Sequence, residues 1–458
     1  MDSSIPSVSS FSWIERIALV LGIFEIPLQC DKYFMFQEED ALVGAVGGLN
    51  VSVTTLCLGV LYACWISDAA GKRQVRFSPV VFGLPMVAYI SIVALSSLAA
   101  VKPLLSYFDL ALLLQAYAIY FYLANRVRNS VDVAFCVFAL AITLAGQSVL
   151  IVLLAALGER AIGADYSIGP MVLSVWPDGR PCGTMHSPVL AGSVLAILWL
   201  PVVTLSLVIP GRHLRTFLLA ASLLGALAIL LTQTRGAIVT IALGTVIVAI
   251  GLLFRSQLPR WTFAAAAIAA LIGAYPMSRV ISERITSGDE GSAEARIHLT
   301  QIALEMISAN PLVGYGAGNC HLAAQTFANQ GRYRSEWFFT IHCKYLLVWI
   351  ENGVFGLLAF LLVLVNSMSY GWSAWRFKDR ILAPIGLAFA AAIAGHMVHM
   401  AVDVFNSRTQ VEILWVVMGI SAATFKIALS LKSRKLERTD PEGYSVSGVQ
   451  ARMLRYGT

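Results

Sequence analysis

Two arginines and a histidine have side chains that could hold an anion and accept a proton. Arg235 stands in a Thr-Arg-Gly-Ala sequence, Arg296 lies in the first turn of a predicted helix, and His342 precedes a long apolar run. A guanidinium group binds phosphate oxygens through paired, charge-assisted hydrogen bonds, and a neutral imidazole accepts a proton from a hydroxyl group near neutral pH. These residues could therefore form an anion site beside a general base, if the fold brings them together.

Each of the three also has a plain structural interpretation. Arg235 could reach the phosphate of a lipid headgroup, Arg296 could pair with Glu294, and a lone histidine is usually a hydrogen-bonded structural residue. A cation in the first turn of a helix is disfavoured by about 0.3 to 1 kcal/mol, and a bound anion would offset that cost at Arg296. The residue types alone leave both interpretations open.

The elements that must position these residues are membrane helices. Hydrophobic residues make up 58% of the 458 residues and charged residues only 13%, and the mean hydropathy is +0.75, which is too apolar for a soluble protein. Apolar runs of about 20 residues recur, each long enough to cross a bilayer as a helix. We therefore predict an all-α, polytopic membrane protein with about twelve transmembrane helices. The predicted spans are residues 13–30, 41–66, 80–101, 104–124, 133–157, 189–210, 216–232, 237–254, 261–276, 343–367, 381–401 and 411–431.

The distribution of basic residues predicts the orientation of these spans. Clusters of lysine and arginine mark alternate connections, which places those connections and both termini in the cytoplasm. Arg235, Arg296 and His342 then share the opposite, outer face. The start of the chain lacks the basic region and cleavage site of a signal peptide. The net charge of +6 therefore reflects topology, and nucleic acid is not an expected partner.

One membrane domain is predicted over residues 1–431, followed by a flexible, basic cytoplasmic tail over residues 432–458. Two large outer loops interrupt the domain, at residues 158–188 and 277–341. Because both loops lie on the same face, we expect the functional site between them.

The longer outer loop contains a helical pattern and then a run of glycines. Apolar residues recur at helical spacing from Glu294 to Ala309, where Asn310-Pro311 ends the pattern, and we expect this amphipathic helix to lie on the membrane surface. Gly316 and Gly318 follow, and their backbone amides could cradle an anion. A plain turn after the helix explains the glycines at least as well.

A second group of polar residues lies near the end of a late span. His396, His399 and Asp403 are spaced i, i+3 and i+7 and share one helical face. Their types could bind zinc, but the spacing is looser than that of zinc motifs, so we favour structural hydrogen bonding and predict no metal site. Asp403 could also lie near a bound acceptor.

The seven cysteines show no spacing typical of zinc ligands. Cys182, Cys320 and Cys343 lie on or near the outer face, where a disulfide could form in an oxidising compartment. Their spacing identifies no pair.

Several short motifs, in their order and spacing, resemble the O-antigen ligase and polymerase superfamily of type C membrane glycosyltransferases. The motifs are Thr234-Arg235-Gly236-Ala237, Arg296 followed by the segment from Asn310 to Asn319, His342-Cys343-Lys344-Tyr345-Leu346, and the segment from Glu351 to Gly356. A fainter similarity leads into the sixth span, through Arg180, Gly183, His186, Pro188 and Ala191. Cys343 departs from the family pattern, which has an amide residue such as asparagine after the histidine.

The resemblance implies transfer of a glycan from an undecaprenyl diphosphate carrier to an acceptor hydroxyl at the periplasmic face of a bacterial inner membrane, with no cofactor, metal or nucleotide sugar. By the same resemblance, Arg235 and Arg296 would bind the diphosphate. His342 would act as general base in a direct displacement that inverts the anomeric carbon. Further expected substrate contacts are Arg180, His186, Gly316 and Gly318. For Arg180 and His186, ordering of their loop is an equally good interpretation.

The acceptor separates the functions within this superfamily. A lipid A core acceptor would make the chain an O-antigen ligase, another lipid-linked repeat would make it a polymerase, including one for exopolysaccharide, and a protein is the third possible acceptor. Expected partners are the lipid-linked donor, a glycan or lipid A core acceptor and membrane lipids, and the chain could join a polysaccharide assembly or export complex. A flippase or secondary transporter also fits the spans and the outer cations, but the sequence has no matching pair of Gly/Pro-broken spans that would indicate inverted repeats.

Overall fold

The computed structural model describes residues 9–37, 46–72, 83–158, 165–168, 171–255, 292–328 and 340–439. Across these ranges the chain forms thirteen α-helices, which confirms the predicted helical class. The helices are α1 (Trp13–Glu25), α2 (Val53–Lys72), α3 (Leu84–Ser96), α4 (Pro103–Arg126), α5 (Ser130–Leu157), α6 (Pro188–Val208), α7 (Arg212–Leu231), α8 (Arg235–Phe254), α9 (Ser292–Ala309), α10 (Cys320–Ala328), α11 (Lys344–Trp375), α12 (Leu382–Met400) and α13 (Arg408–Thr439).

Nine of the described helices are long and apolar enough to cross a membrane, namely α2, α4 to α8 and α11 to α13. Helices α1 and α3 stand where spans were predicted, but each has only 13 residues. The predicted span at 261–276 lies outside the described residues. The polytopic membrane fold is thus confirmed, whereas the total of about twelve spans stays a prediction.

Small residues allow the central helices to pack closely. Helices α6, α12 and α13 are the most buried of the nine, and α2, α7 and α8 lie at the periphery. A Cβ added to Gly371 of α11 would lie only 2.5 Å from the backbone oxygen of Gly386 in α12. Such close approach of two backbones is typical of membrane helices, which associate through van der Waals packing rather than through the hydrophobic effect. It fixes α12, which carries His399, against α11, which begins two residues after His342.

Two small antiparallel sheets, which the sequence did not predict, lie beside the bundle. The first pairs β1 (Asp31–Phe34) with β2 (Leu49–Ser52). The second has the order β3 (Asp165–Ile168), β4 (Met171–Val175) and β5 (Pro181–Gly183), with an irregular register between β4 and β5. The second sheet lies within the loop predicted at 158–188.

Helix α11 breaks at Gly353, and the break holds the end of the long loop. Gly353 has a φ of 66°, a conformation that other residues rarely adopt, and a Cβ there would overlap the Leu312 carbonyl oxygen. Backbone oxygens of Ile350 and Glu351 accept hydrogen bonds from the Tyr315 and Gly316 amides, at 2.9 and 2.8 Å. The segment 310–319, which follows α9, is therefore bonded directly to α11.

The end of the bundle where α4 stops, here called the Arg126 end, is closed by a buried ion pair. Arg126 donates through Nε and Nη2 to the two carboxylate oxygens of Glu15, at 2.6 and 2.9 Å, and both side chains are at most 4% exposed. Tyr122 donates to the same carboxylate at 3.0 Å. Lys426 Nζ donates to the backbone oxygens of Ala124 and Asn125 at the last turn of α4, at 2.5 and 3.1 Å.

Candidate functional site

The opposite end of the bundle, here called the His342 end, collects the helix termini that carry the predicted site residues. Tyr345 in the first turn of α11 donates its hydroxyl to the Met397 oxygen near the end of α12, at 2.6 Å. Thr234, just before α8, donates its hydroxyl to the Pro188 oxygen at the start of α6, at 2.8 Å. The first turns of α6, α8 and α11 and the last turn of α12 therefore lie at one end of the bundle.

Arg235 is the first residue of α8 and is exposed. The next residue, Gly236, lies so close to His399 that a Cβ there would overlap the imidazole ring. Only glycine fits at position 236 beside His399, which explains why a glycine follows the arginine in the Thr-Arg-Gly-Ala motif. Arg235 therefore stands at the exposed edge of a junction between α8 and α12.

His342 stands just before α11 in a half-buried position, and Arg296 on α9 is near enough for its charge to act on the imidazole. Burial and the Arg296 charge lower the pKa of His342 below its ordinary value, while a backbone hydrogen bond with Thr340 opposes the shift. The imidazole is therefore neutral at pH 7, the form in which it can accept a proton.

Asp403, in the connection 401–407 between α12 and α13, completes this group. Burial raises its pKa to about 6, although a hydrogen bond from the Val404 amide at 2.8 Å and the positive charge of Arg296 act in the opposite direction. Its Oδ2 lies 3.8 Å from His399 Nε2. Arg296 thus acts electrostatically on both His342 and Asp403, so both residues lie within the range of its charge.

His396 and His399 pack around one aromatic ring. Their ring centroids lie 4.4 and 4.9 Å from that of Phe405, in edge-on geometry. Among the described residues there is no group of three histidine, cysteine or carboxylate side chains that could hold a metal ion. The structure thus shows aromatic packing around the two histidines, and their predicted structural hydrogen bonding stays a prediction.

Arg180 and His186 lie in the segment that leads into α6. Arg180 Nε donates to Asp178 Oδ2 at 2.7 Å, so its guanidinium is engaged within its own turn. His186 is exposed, has a φ of 53°, and precedes Pro188, whose oxygen bonds Thr234. His186 therefore lies two residues before α6, whose first residue contacts the start of α8. The Arg180–Asp178 contact fits a role in ordering the loop, and a substrate contact of Arg180 stays a prediction.

The amides of Gly316 and Gly318 are used inside the protein. Gly316 donates to the Glu351 backbone oxygen at 2.8 Å and Gly318 to Glu351 Oε1 at 3.1 Å, and both glycines are buried. The structure therefore favours the turn interpretation over an anion cradle. The seven cysteines are free thiols, without a disulfide among Cys182, Cys320 and Cys343.

Sequence reasoning missed one buried polar residue beside the site. Lys344 is only 8% exposed, and its Nζ donates to Asn406 Oδ1 in the connection 401–407, at 2.8 Å. The spacing i, i+7 of Lys344 and Glu351 was a usable signal, because it places both on one face of α11. The partner Asn406 lies 62 residues away and has no such signal.

Part of the chain is similar to a known protein family. Residues 220–361 match the model of the O-antigen ligase family. The match confirms the resemblance to the O-antigen ligase superfamily, and the matched segment contains Arg235, Arg296 and His342.

Other comparisons add little to the O-antigen ligase match. No curated protein sequence matches the chain. One solved structure, described as "Structural coordination of polymerization and crosslinking by a peptidoglycan synthase complex", is similar at 15% sequence identity with a TM-score of 0.39. The alignment covers 75% of this chain and 97% of that chain.

Proposed function

We propose that this chain is a membrane glycosyltransferase that moves a glycan from an undecaprenyl diphosphate carrier to an acceptor hydroxyl at the periplasmic face of a bacterial inner membrane, with both termini in the cytoplasm. The observation that carries the proposal is the grouping of Arg296, His342 and Asp403 at one end of the bundle, within and beside the O-antigen ligase segment. Arg235 stands at the same end.

The two arginines would bind the leaving group. As the bond between the anomeric carbon and the diphosphate oxygen breaks, the bonding electron pair stays with undecaprenyl diphosphate and its negative charge grows. Two guanidinium groups from separate helices, Arg235 on α8 and Arg296 on α9, would stabilise this charge through paired hydrogen bonds. Neither a metal nor a nucleotide sugar takes part in the proposed step.

His342 would act as the general base. The acceptor oxygen attacks the anomeric carbon from the face opposite the diphosphate, its proton passes to the neutral imidazole, and the configuration inverts. The lowered pKa of His342 keeps the imidazole unprotonated before the step. Asp403 interacts electrostatically with Arg296 and would balance part of its positive charge beside the base. His186, exposed before α6, is the further candidate for a sugar contact.

Deletion of the gene, followed by analysis of surface and lipid-linked glycans, tests this function. Loss of polymer on lipopolysaccharide with accumulation of long lipid-linked chains would identify a ligase with a lipid A core acceptor. Accumulation of single lipid-linked repeats would identify a polymerase, including one for exopolysaccharide. An unchanged glycan profile would overturn both, and lipid-linked glycan retained on the cytoplasmic face would indicate a flippase instead.

A further inference from the structure

Lys344 links the general base to the connection that carries Asp403. It begins α11, two residues after His342, and is buried. Its Nζ donates to Asn406 Oδ1 at 2.8 Å, and Asn406 lies three residues after Asp403. One side chain thus ties the start of α11 to the connection 401–407.

Two buried carboxylates also act electrostatically on the same lysine. Lys344 interacts electrostatically with Glu351, two turns further along α11, and with Asp109 of α4. Glu351 Oε1 accepts the Gly318 amide at 3.1 Å. A Cβ added to Gly318 would lie 2.7 Å from Asp109 Oδ2, so this carboxylate also borders the segment 310–319.

Lys344, with Asn406, Glu351 and Asp109, links the three elements that carry the proposed machinery. His342 precedes α11, Asp403 belongs to the connection 401–407, and Arg296 belongs to α9, which runs into the segment 310–319. A buried cation loses much of its hydration, and replacing a buried ion cluster with apolar residues is often neutral or stabilising. A contribution to stability therefore explains a buried lysine at this position poorly. A role in fixing the relative positions of the three elements explains it better.

We propose that Lys344 is a positioning residue for the general base, which holds His342 in register with Arg296 and Asp403 through Asn406, Glu351 and Asp109. The inference rests on the proposed transfer reaction. Lys344 itself touches neither donor nor acceptor. Displacement of a reacting group by about 1 Å can cost about 100-fold in rate, so loss of this link should slow transfer without weakening donor binding.

The experiment compares binding with turnover in full-length protein. Lys344→Met and Asn406→Leu are purified in detergent, and binding of undecaprenyl diphosphate is measured by ligand-induced thermal shift. Transfer is measured in the deletion strain as conversion of lipid-linked glycan per amount of folded protein. We expect binding within about threefold of the wild type, and transfer lowered about 100-fold in Lys344→Met and about tenfold in Asn406→Leu.

Two further variants separate positioning from general stability. Asn406→Asp keeps an acceptor oxygen for Lys344 and should retain most of the transfer. Glu15→Gln removes an equally buried carboxylate at the Arg126 end and should leave transfer per folded protein unchanged. If Lys344→Met does not fold, Asn406→Leu decides alone, because it leaves the lysine and both carboxylates in place.

Each other outcome has a definite meaning. Normal transfer in folded Lys344→Met and Asn406→Leu would overturn the inference. Loss of binding together with transfer would also overturn it, because Lys344 would then contact the donor directly. A wild-type protein that does not bind undecaprenyl diphosphate would overturn the proposed function, a result seen before any variant is compared.

Discussion

Two arginines at opposite ends of the bundle, Arg126 and Arg296, have contrasting environments. At the Arg126 end, the guanidinium is buried and forms two hydrogen bonds with one carboxylate. At the His342 end, Arg296 is exposed, and no described acidic side chain lies within ion-pair distance of it, although it acts electrostatically on His342 and Asp403.

The difference indicates that Arg126 stabilises the fold, whereas Arg296 is accessible to a ligand. Breaking a fully engaged buried pair leaves an uncompensated charge, which costs about 3 to 5 kcal/mol of stability. An exposed guanidinium near a neutral base can be substituted at little cost to folding, so its loss should appear in function. The following predictions test this contrast, beginning with the largest expected effect on transfer.

Substitution of the base should have the largest effect. We expect His342→Ala to lower transfer about 100- to 10,000-fold, because proton removal in the transition state is lost. The measurement is glycan transfer per folded protein in the deletion strain, with undecaprenyl diphosphate binding as the control. Transfer at the wild-type rate would remove His342 from the mechanism.

Substitution of the two arginines proposed to bind the diphosphate should have the second largest effect on transfer. Arg235→Ala and Arg296→Ala should each lower transfer about 100- to 1,000-fold, since each removes a charged donor from the leaving group. Lysine at either position keeps the charge but not the planar pair of donors, and should retain part of the activity. Unlike His342→Ala, both alanine variants should also weaken undecaprenyl diphosphate binding, and normal binding would contradict the assignment.

The pH dependence should reveal the influence of Arg296 on the base. The pKa of His342 is lowered below its ordinary value of about 6.5, so the neutral form predominates at pH 7 and is lost as the pH falls through that lowered pKa. Arg296→Gln removes one cause and should raise the pKa, so protonation begins at higher pH. Histidine-selective NMR can follow this titration without transfer, using His342→Gln for assignment and Arg296→Lys as the charge-preserving control. An unchanged titration in Arg296→Gln would show that the two groups do not interact.

Substitution at the Arg126 end should leave transfer unchanged. Glu15→Gln should lower thermal stability, because Arg126 loses its buried carboxylate, and should not change transfer per folded protein. Scanning unfolding in detergent measures the first effect. A loss of transfer per folded protein in Glu15→Gln would show that the Glu15–Arg126 pair also contributes to function.

The apolar sequence predicted most helices but not how far they extend. The span predicted at 343–367 is part of α11, which continues to Trp375 because Tyr370, Gly371 and Ala374 remain buried against neighbouring helices. The pairing of β1 with β2 was missed because a span was predicted over 41–66, and four-residue strands have little pattern of their own.

The site could be predicted only where its chemistry is local in sequence. Arg235, Arg296 and His342 stand in short motifs that can be recognised from a family resemblance. The Lys344–Asn406 hydrogen bond, by contrast, joins residues that only the packing of α11 against α12 brings together. Gly316 and Gly318 show the converse. Their spacing suggested ligand binding, but their amides donate to the backbone oxygen and the carboxylate of Glu351, next to the break in α11. No sequence pattern predicted these acceptors.

The break at Gly353 also has a consequence for biosynthesis. The segment 310–319 needs acceptors at residues 350 and 351, which leave the ribosome about three dozen residues later. The segment 310–319 must therefore wait, without its hydrogen-bond partners, until α11 has formed. A truncation placed between these two regions would leave the earlier one without its anchor, however well its own helix forms.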